Sequence, residues 1–216
     1  MITAVSGLAL TGEATNPQEL AQSYLAWDGI RTNHVISSTG SFKDEFGSSR
    51  GLSTPEDLAL LIELRKLADL VIVDAATARN EQYKRLSGAH LAIVSASGNF
   101  SSIPAVSAAD KVTVFSQARP TTDTTGIDYV KVATSNPFKQ LLQWATQMSM
   151  KSILVEAGPS LTQVCFDTTQ VAQSAITITP RVERGSISSA MNPFSQTGEL
   201  ISLAESSSAS FTLWSY

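Results

Sequence analysis

Short apolar runs alternate with helical patterns along most of this chain. Leu70-Val71-Ile72-Val73 is apolar at every position. Such a run suits a strand buried on both faces, as in a parallel sheet. Leu91-Ala92-Ile93-Val94, Val112-Thr113-Val114-Phe115 and Ile153-Leu154-Val155 are of the same type, and Thr32 to Ser37 and Ala175 to Thr179 read as further strands. Asp128 to Val132 is more polar and predicts an edge strand. Helical patterns fall between them. Ser53-Thr54-Pro55-Glu56-Asp57 is a helix start, with a hydroxyl cap, a proline in the first turn and acids that complement the dipole. Leu58, Leu61, Ile62 and Leu64 carry helical spacing on to Leu67. Asn136-Pro137 opens a helix reaching about Met148, and Pro159 to Asp167 forms another. Asn16 caps a short helix from Pro17 to Leu25, with Leu20, Tyr24 and Leu25 on one face.

Strands alternating with helices predict an α/β fold with a largely parallel central sheet flanked by helices. The end of the chain differs. Glu199 to Ala204 and Ser210 to Trp214 read as strands around Ser206-Ser207-Ser208, a hairpin expected to run antiparallel to the rest. With no internal repeat and no linker, residues 1–216 read as one domain with an N-terminal extension over 1–27.

Composition narrows the function. Hydrophobic residues are 43% and charged residues 16%, enough to bury a core and too little charge for a disordered tail. A net charge of -4 gives no electrostatic reason to expect nucleic acid or an anionic membrane. With Cys165 as the single cysteine, no disulfide can form within the chain. Met1 to Leu10 lacks the basic start and long apolar core of a signal peptide. No apolar run approaches the ~20 residues of a membrane span. These features predict a cytoplasmic protein acting on small molecules. His34 reads as a strand position and His90 as a strand entrance. Neither has a cysteine or carboxylate at ligand spacing, so no metal site is expected.

In open α/β sheets, ligands bind outside the carboxyl ends of the strands. Four strand ends qualify. In Val155-Glu156-Ala157-Gly158-Pro159-Ser160 a glycine allows close backbone approach, and the following helix offers free amides to a phosphate. Val73-Asp74-Ala75-Ala76-Thr77-Ala78-Arg79-Asn80 combines small residues with a threonine and an arginine, or is a helix start capped by Asp74. Ser37-Ser38-Thr39-Gly40 and Ser95-Ala96-Ser97-Gly98 are weaker signals. Neither G-x-G-x-x-G nor a P-loop is present.

Taken in order, these pieces resemble the pyrimidine reductase family of bacterial riboflavin biosynthesis, the dihydrofolate-reductase-like RibD C-terminal domain. Leu64 to Tyr83 is similar to the family's LRALADVVLVGAGTVRAEGY, Ile153 to Leu161 to VLVEGGPSL, and Asn33 to Gly40 to NMVASLDG. The resemblance covers about Glu19 to Arg184. It implies a reductase in which NADPH delivers hydride to the ribosyl C1 of an aminopyrimidine ribosyl phosphate. It further implies that Ala157, Gly158, Pro159 and Ser160 hold cofactor phosphates, that Ala75, Ala76 and Thr77 line the cofactor, and that Ser95 and Ser97 meet its adenosine side. Glu156 matches the motif glutamate at the reaction centre, and Asn33 and Ser37 match substrate-side positions. Arg79, Lys84, Arg85, Arg181 and Arg184 are candidates for a substrate phosphate. Related reductases form homodimers through C-terminal strands. The apolar stretch around Phe211, Leu213 and Trp214 is either such an interface or the completion of the monomer sheet. The zinc deaminase domain that many members carry needs a His/Cys/Cys site, which one cysteine cannot supply.

The chain departs from the pattern at the site. Thr39-Gly40 replaces an aspartate-glycine, Asp74-Ala75-Ala76-Thr77 replaces GAGT, and Glu156-Ala157-Gly158-Pro159 replaces EGGP. If position 157 requires a left-handed backbone, alanine is strained there. Asp74 is open to three readings: it repels phosphate, caps a helix, or binds a ribose hydroxyl and favours NADH. Two classes of function follow, an active NAD(P)H-dependent reductase and a non-catalytic cofactor-binding or structural protein. A true dihydrofolate reductase is a third reading, with Asp57 and Glu63 as the acids on the substrate-side helix.

Overall fold

The computed structural model describes residues 1–7, 12–24, 27–107, 110–121, 123–124, 126–133, 135–180 and 196–216. The strands are β1 (Ile2–Ser6), β2 (Ala14–Thr15), β3 (Gly29–Ser37), β4 (Leu70–Asp74), β5 (His90–Ser95), β6 (Val112–Ser116), β7 (Asp128–Lys131), β8 (Ser152–Val155), β9 (Val171–Thr179), β10 (Glu199–Glu205) and β11 (Ser210–Ser215). The helices are α1 (Pro17–Ser23), α2 (Pro55–Leu67), α3 (Ala75–Asn80), α4 (Pro137–Gln147) and α5 (Pro159–Thr168). Among the described residues the strands form one 11-stranded sheet, ordered β2-β1-β10-β11-β9-β3-β8-β4-β5-β6-β7. It is parallel from β9 through β7, and β11, β10, β1 and β2 add an antiparallel edge.

The continuous apolar run of β4 is buried on both faces. Val71 and Val73 join one core with Leu60 and Leu64 of α2, while Leu70 and Ile72 join the other with Phe138 and Leu141 of α4 and Phe166 of α5. Helix starts follow their caps. Asn16, Thr54 and Asn136 each accept a backbone N–H from the first turn, and a proline follows each. Helix α5 is the exception, because its N-cap is Gly158 and no side chain of its own caps it.

Three sequence expectations need correction. The segment 1–27 includes two strands, and β1 pairs with β10 near the far end of the chain. Tyr24 and Trp27 lie in the core, and the Trp27 ring stacks 3.9 Å under the buried guanidinium of Arg31. Leu25 lies outside the described residues. On α2, Leu60 and Leu64 face the core and Asp57 is buried beside the cleft, whereas Leu58 and Ile62 are 51% and 44% exposed. The apolar spacing marked a wall of a cleft as well as a core face. Finally, β11 is hydrogen-bonded on one side to β10 and on the other to β9, and Phe211 and Leu213 are buried. It completes the sheet within the chain, so the argument for an exposed apolar edge at this strand falls.

Candidate active site

β8 is short. It ends at Val155, level with Thr32 of β3 and Ile72 of β4, while β3 runs on to Ser37 and β4 to Asp74. A crevice therefore opens above β8, between strands that the chain visits far apart in sequence. This is the kind of switch point where α/β folds bind ligands. The cleft has a volume of about 1360 Å³. Its apolar lining comes from Leu58, Leu61 and Ile62 of α2 and from Leu161 and Val164 of α5. Its polar floor comes from the ends of β3, β4 and β5 and the β8–α5 turn.

The structure brings Asn33, Ala76, Thr77, Ser95, Glu156, Ala157, Gly158, Pro159 and Ser160 to this cleft. It puts four other candidates elsewhere. Ala75 is packed in the core. The Ser37 hydroxyl is paired with that of Thr39 at 2.8 Å and accepts the Ser41 N–H, closing the turn after β3. The Ser97 hydroxyl accepts from the Asn99 amide in a surface turn. Arg79 donates to the Ser101 and Asn99 carbonyls at 2.9 and 3.1 Å, stapling that loop to α3. Lys84 and Arg85 do line the cleft, and Arg85 pairs with Asp110 at 2.7 Å. Arg181 and Arg184 lie outside the described residues.

Glu156 is buried in the cleft wall, and both its oxygens are occupied. Arg65 Nε donates to Oε1 at 2.9 Å and to Oε2 at 3.1 Å, Arg65 Nη2 donates to Oε2 at 2.5 Å, and the Tyr83 hydroxyl donates to Oε2 at 2.6 Å. The Arg65 guanidinium lies 4.9 Å from the Tyr83 ring centroid. Burial acts to lower the Arg65 pKa, but the Glu156 carboxylate outweighs it and holds the guanidinium's pKa above its ordinary value. Burial and the same carboxylate push the Tyr83 phenol up. The network ties α2, the segment after α3 and the β8–α5 turn into one wall. Sequence reasoning missed Arg65 and Tyr83, although both fall in the motif-like stretch Leu64 to Tyr83.

Asp74 is the second buttress. Its Oδ1 accepts the Thr77 N–H at 2.8 Å, the ordinary N-cap bond of α3. Its Oδ2 accepts the Thr77 hydroxyl at 2.8 Å and the Gly158 N–H at 2.6 Å. Asp74 thus caps α3 and also serves the uncapped start of α5. Gly158 has φ -64°, so its glycine is explained by space and not by a left-handed backbone. A Cβ there would lie 3.1 Å from Thr77 Oγ1 and 3.2 Å from Asp74 Oδ2. Ala157 is not among the positive-φ residues and packs into the core beside α5, so it carries no left-handed strain.

Two further groups face the cleft. Asp57 is 6% exposed and accepts the Ser53 hydroxyl at 2.6 Å; burial raises its pKa, against the pull of hydrogen bonds from Ser53 and Thr177. His34 is buried, and burial alone lowers its pKa to about 3, so it is neutral. Its ring meets Phe42 edge-on at 5.4 Å. Exposed Lys43 and Lys84 stand at the rim with no ion pair among the described residues. Among the described residues, no group of three or more His, Cys, Asp or Glu is placed to hold a metal, and no helix is long and apolar enough to cross a membrane.

No protein-family model matches this sequence, and neither does any curated protein. Solved structures do match. A pyrimidine reductase-like protein of Corynebacterium diphtheriae aligns with a TM-score of 0.78 at 20% identity, over 93% of this chain and 98% of that one. A diaminohydroxyphosphoribosylaminopyrimidine deaminase/5-amino-6-(5-phosphoribosylamino)uracil reductase of Thermotoga maritima aligns with a TM-score of 0.72 at 13% identity; the match covers 92% of this chain and 59% of that longer one. Dihydrofolate reductase of Enterococcus faecalis, solved with NADP(H), aligns with a TM-score of 0.57 at 10% identity, over 86% and 95% of the two chains. At these identities the likeness is one of fold, and the fold is that of the riboflavin-biosynthesis pyrimidine reductases, a dihydrofolate-reductase-like α/β architecture.

Proposed function

We propose that this chain is a cytoplasmic NADPH- or NADH-dependent reductase of the pyrimidine reductase type, acting on the ribosyl group of an aminopyrimidine ribosyl phosphate or a related carbonyl compound. The observation that carries this reading is the cleft itself. It opens at the carboxyl ends of parallel strands, and its volume of about 1360 Å³ exceeds the roughly 300–1,000 Å³ of a single small-molecule site. That leaves room for a dinucleotide beside a substrate. A bound nicotinamide would supply the hydride. The apolar wall of Leu58, Leu61 and Ile62 suits a flat ring and excludes water from it. The proton that must accompany reduction of a carbonyl needs an acid that stays protonated near working pH. Asp57 lines the cleft, and its burial moves its pKa in the direction that favours holding a proton, which makes it the candidate for that role. Glu156, bound by Arg65 and Tyr83, positions the wall. Lys43 and Lys84 are the rim cations available to a substrate phosphate.

The turn at Gly158 does not fit a phosphate while Asp74 holds its amide. With Glu156 saturated as well, this supports a second reading, a member of the fold that binds a ligand without turning it over. A thermal-shift titration with millimolar NADPH and NADH separates the two. A ligand at 100 times its Kd adds about 2.7 kcal/mol, roughly 5–10 °C in Tm for a chain of this size. A shift with either cofactor, followed by its oxidation in the presence of the ribosylaminopyrimidine, supports the reductase. The absence of any shift sinks it.

A further inference from the structure

Asp74 offers an inference that rests on the reductase reading only for the identity of the cofactor. We infer that Asp74 is the specificity-determining residue of the β8–α5 turn: its carboxylate occupies the anion seat of that turn and excludes a phosphate from it.

Three donors converge on this one side chain: the Thr77 amide at 2.8 Å, the Thr77 hydroxyl at 2.8 Å and the Gly158 amide at 2.6 Å. Two of the three meet on Oδ2. This is the donor set that a ligand oxyanion uses when it sits between two helix starts. Here it is satisfied from within. The N-cap residue of α5 contributes no side chain, so Asp74 serves the first free amide of that helix from another element. The seat is also full: a single added carbon on Gly158 would already stand 3.2 Å from Asp74 Oδ2. Asp74 cannot drift away, because its backbone is the last rung of β4 opposite Val94 of β5, and its Oδ1 is held as the cap of α3. A phosphate brought to the turn meets no free donor at Gly158 and a negative charge in contact range. A ligand of this cleft therefore binds at the turn through neutral groups, or carries its phosphates to the rim near Lys43 and Lys84.

The test uses Asp74→Ser in the full chain. Serine is an equally good N-cap for α3 but is too short to reach Gly158. Asp74→Asn is the second variant, retaining the side-chain length while removing the charge. The probes are sodium pyrophosphate, followed at the backbone amide signals of Gly158 and Thr77, and NADPH, followed by calorimetry. In the wild-type protein the Gly158 amide is expected to stay unmoved by millimolar pyrophosphate. In Asp74→Ser it should titrate saturably, and NADPH should bind at least ten-fold more tightly than to wild type. Equal titration of Gly158 in wild type and variants overturns the inference. So does a Gly158 amide that stays still in both folded variants. If the variants take pyrophosphate at Gly158 but no form of the protein binds NADPH or NADH, the inference stands and the dinucleotide reading falls.

Discussion

At the scale of single residues, the site is held by charges that satisfy one another. Glu156 is nearly sealed from solvent, with a side chain 4% exposed, and Arg65 is its only ion-pair partner among the described residues. Removing one partner of a buried pair strands the other, at a cost of about 3–5 kcal/mol. Arg65→Leu is therefore expected to lose about 3 kcal/mol of stability in urea unfolding, and Tyr83→Phe about 1.5 kcal/mol, because the arginine still neutralises the carboxylate. Equal losses for the two variants would mean that the phenol, and not the charge, carries the network. His34 makes a pH prediction. Its folded pKa, near 3, lies below the ordinary value of 6.5, so the unfolded chain takes the proton first. The His34 contribution is complete above pH 6.5 and declines as pH falls from there towards 3, by at most about 1.4 kcal/mol per pH unit. His90 and Glu56, both lowered, act in the same direction, while Asp57, raised, opposes them. His34→Gln should flatten the slope between pH 6.5 and 4.5 by its own share, as read from unfolding midpoints across that range. Little of this was legible beforehand. Positions 65, 83 and 156 have no spacing that pairs them, and only the folded sheet brings them together.

At the scale of elements, helix α2 shows how periodicity can identify a helix and misassign its face. Its apolar residues lie on two stripes. Leu60 and Leu64 are sealed in the core, while Leu58 and Ile62 face the cleft half-exposed. Both stripes have helical spacing, and the hydrophobic pattern alone cannot say which one meets protein and which meets ligand. The two differ in the response to substitution. Ile62→Ser removes apolar surface that water already reaches in part, so stability should change by only about 0.5 kcal/mol. The same change should abolish a cofactor-induced rise in Tm, because the flat apolar wall is broken. Leu64→Ala, two residues further on and on the buried stripe, should instead cost about 2–5 kcal/mol. A cofactor shift that survives in Ile62→Ser would move the ring-binding wall away from α2. The helix starts, by contrast, were legible at Asn16, Thr54 and Asn136, because a cap followed by proline is a local signal. Strands β1 and β2 were not, since β1 takes its place by pairing with β10 near the far end of the chain, and the two-residue β2 is set only by pairing with β1.

At the scale of the molecule, the order of strands makes the site and also closes the sheet. The alternation of apolar runs and helices gave a parallel sheet, but the insertion of β8 between β3 and β4, and hence the crevice, is a property of topology alone. The same holds for the C-terminal strand. Its apolar residues fit either an interface between copies or an interior strand, and the choice depends on what lies on each side. With β10 on one side and β9 on the other, β11 joins the antiparallel edge to the parallel sheet. Phe211, fully buried at this seam, is its main apolar anchor. Phe211→Ala should cost about 3–5 kcal/mol through lost burial and the cavity left behind. Because the seam is intramolecular, the loss should be independent of protein concentration. Urea unfolding of wild type and variant at two concentrations a hundred-fold apart decides this. A midpoint that rises with concentration in the wild type, and a penalty that changes with it, would assign Phe211 to contact between copies and return β11 to the role of an interface strand.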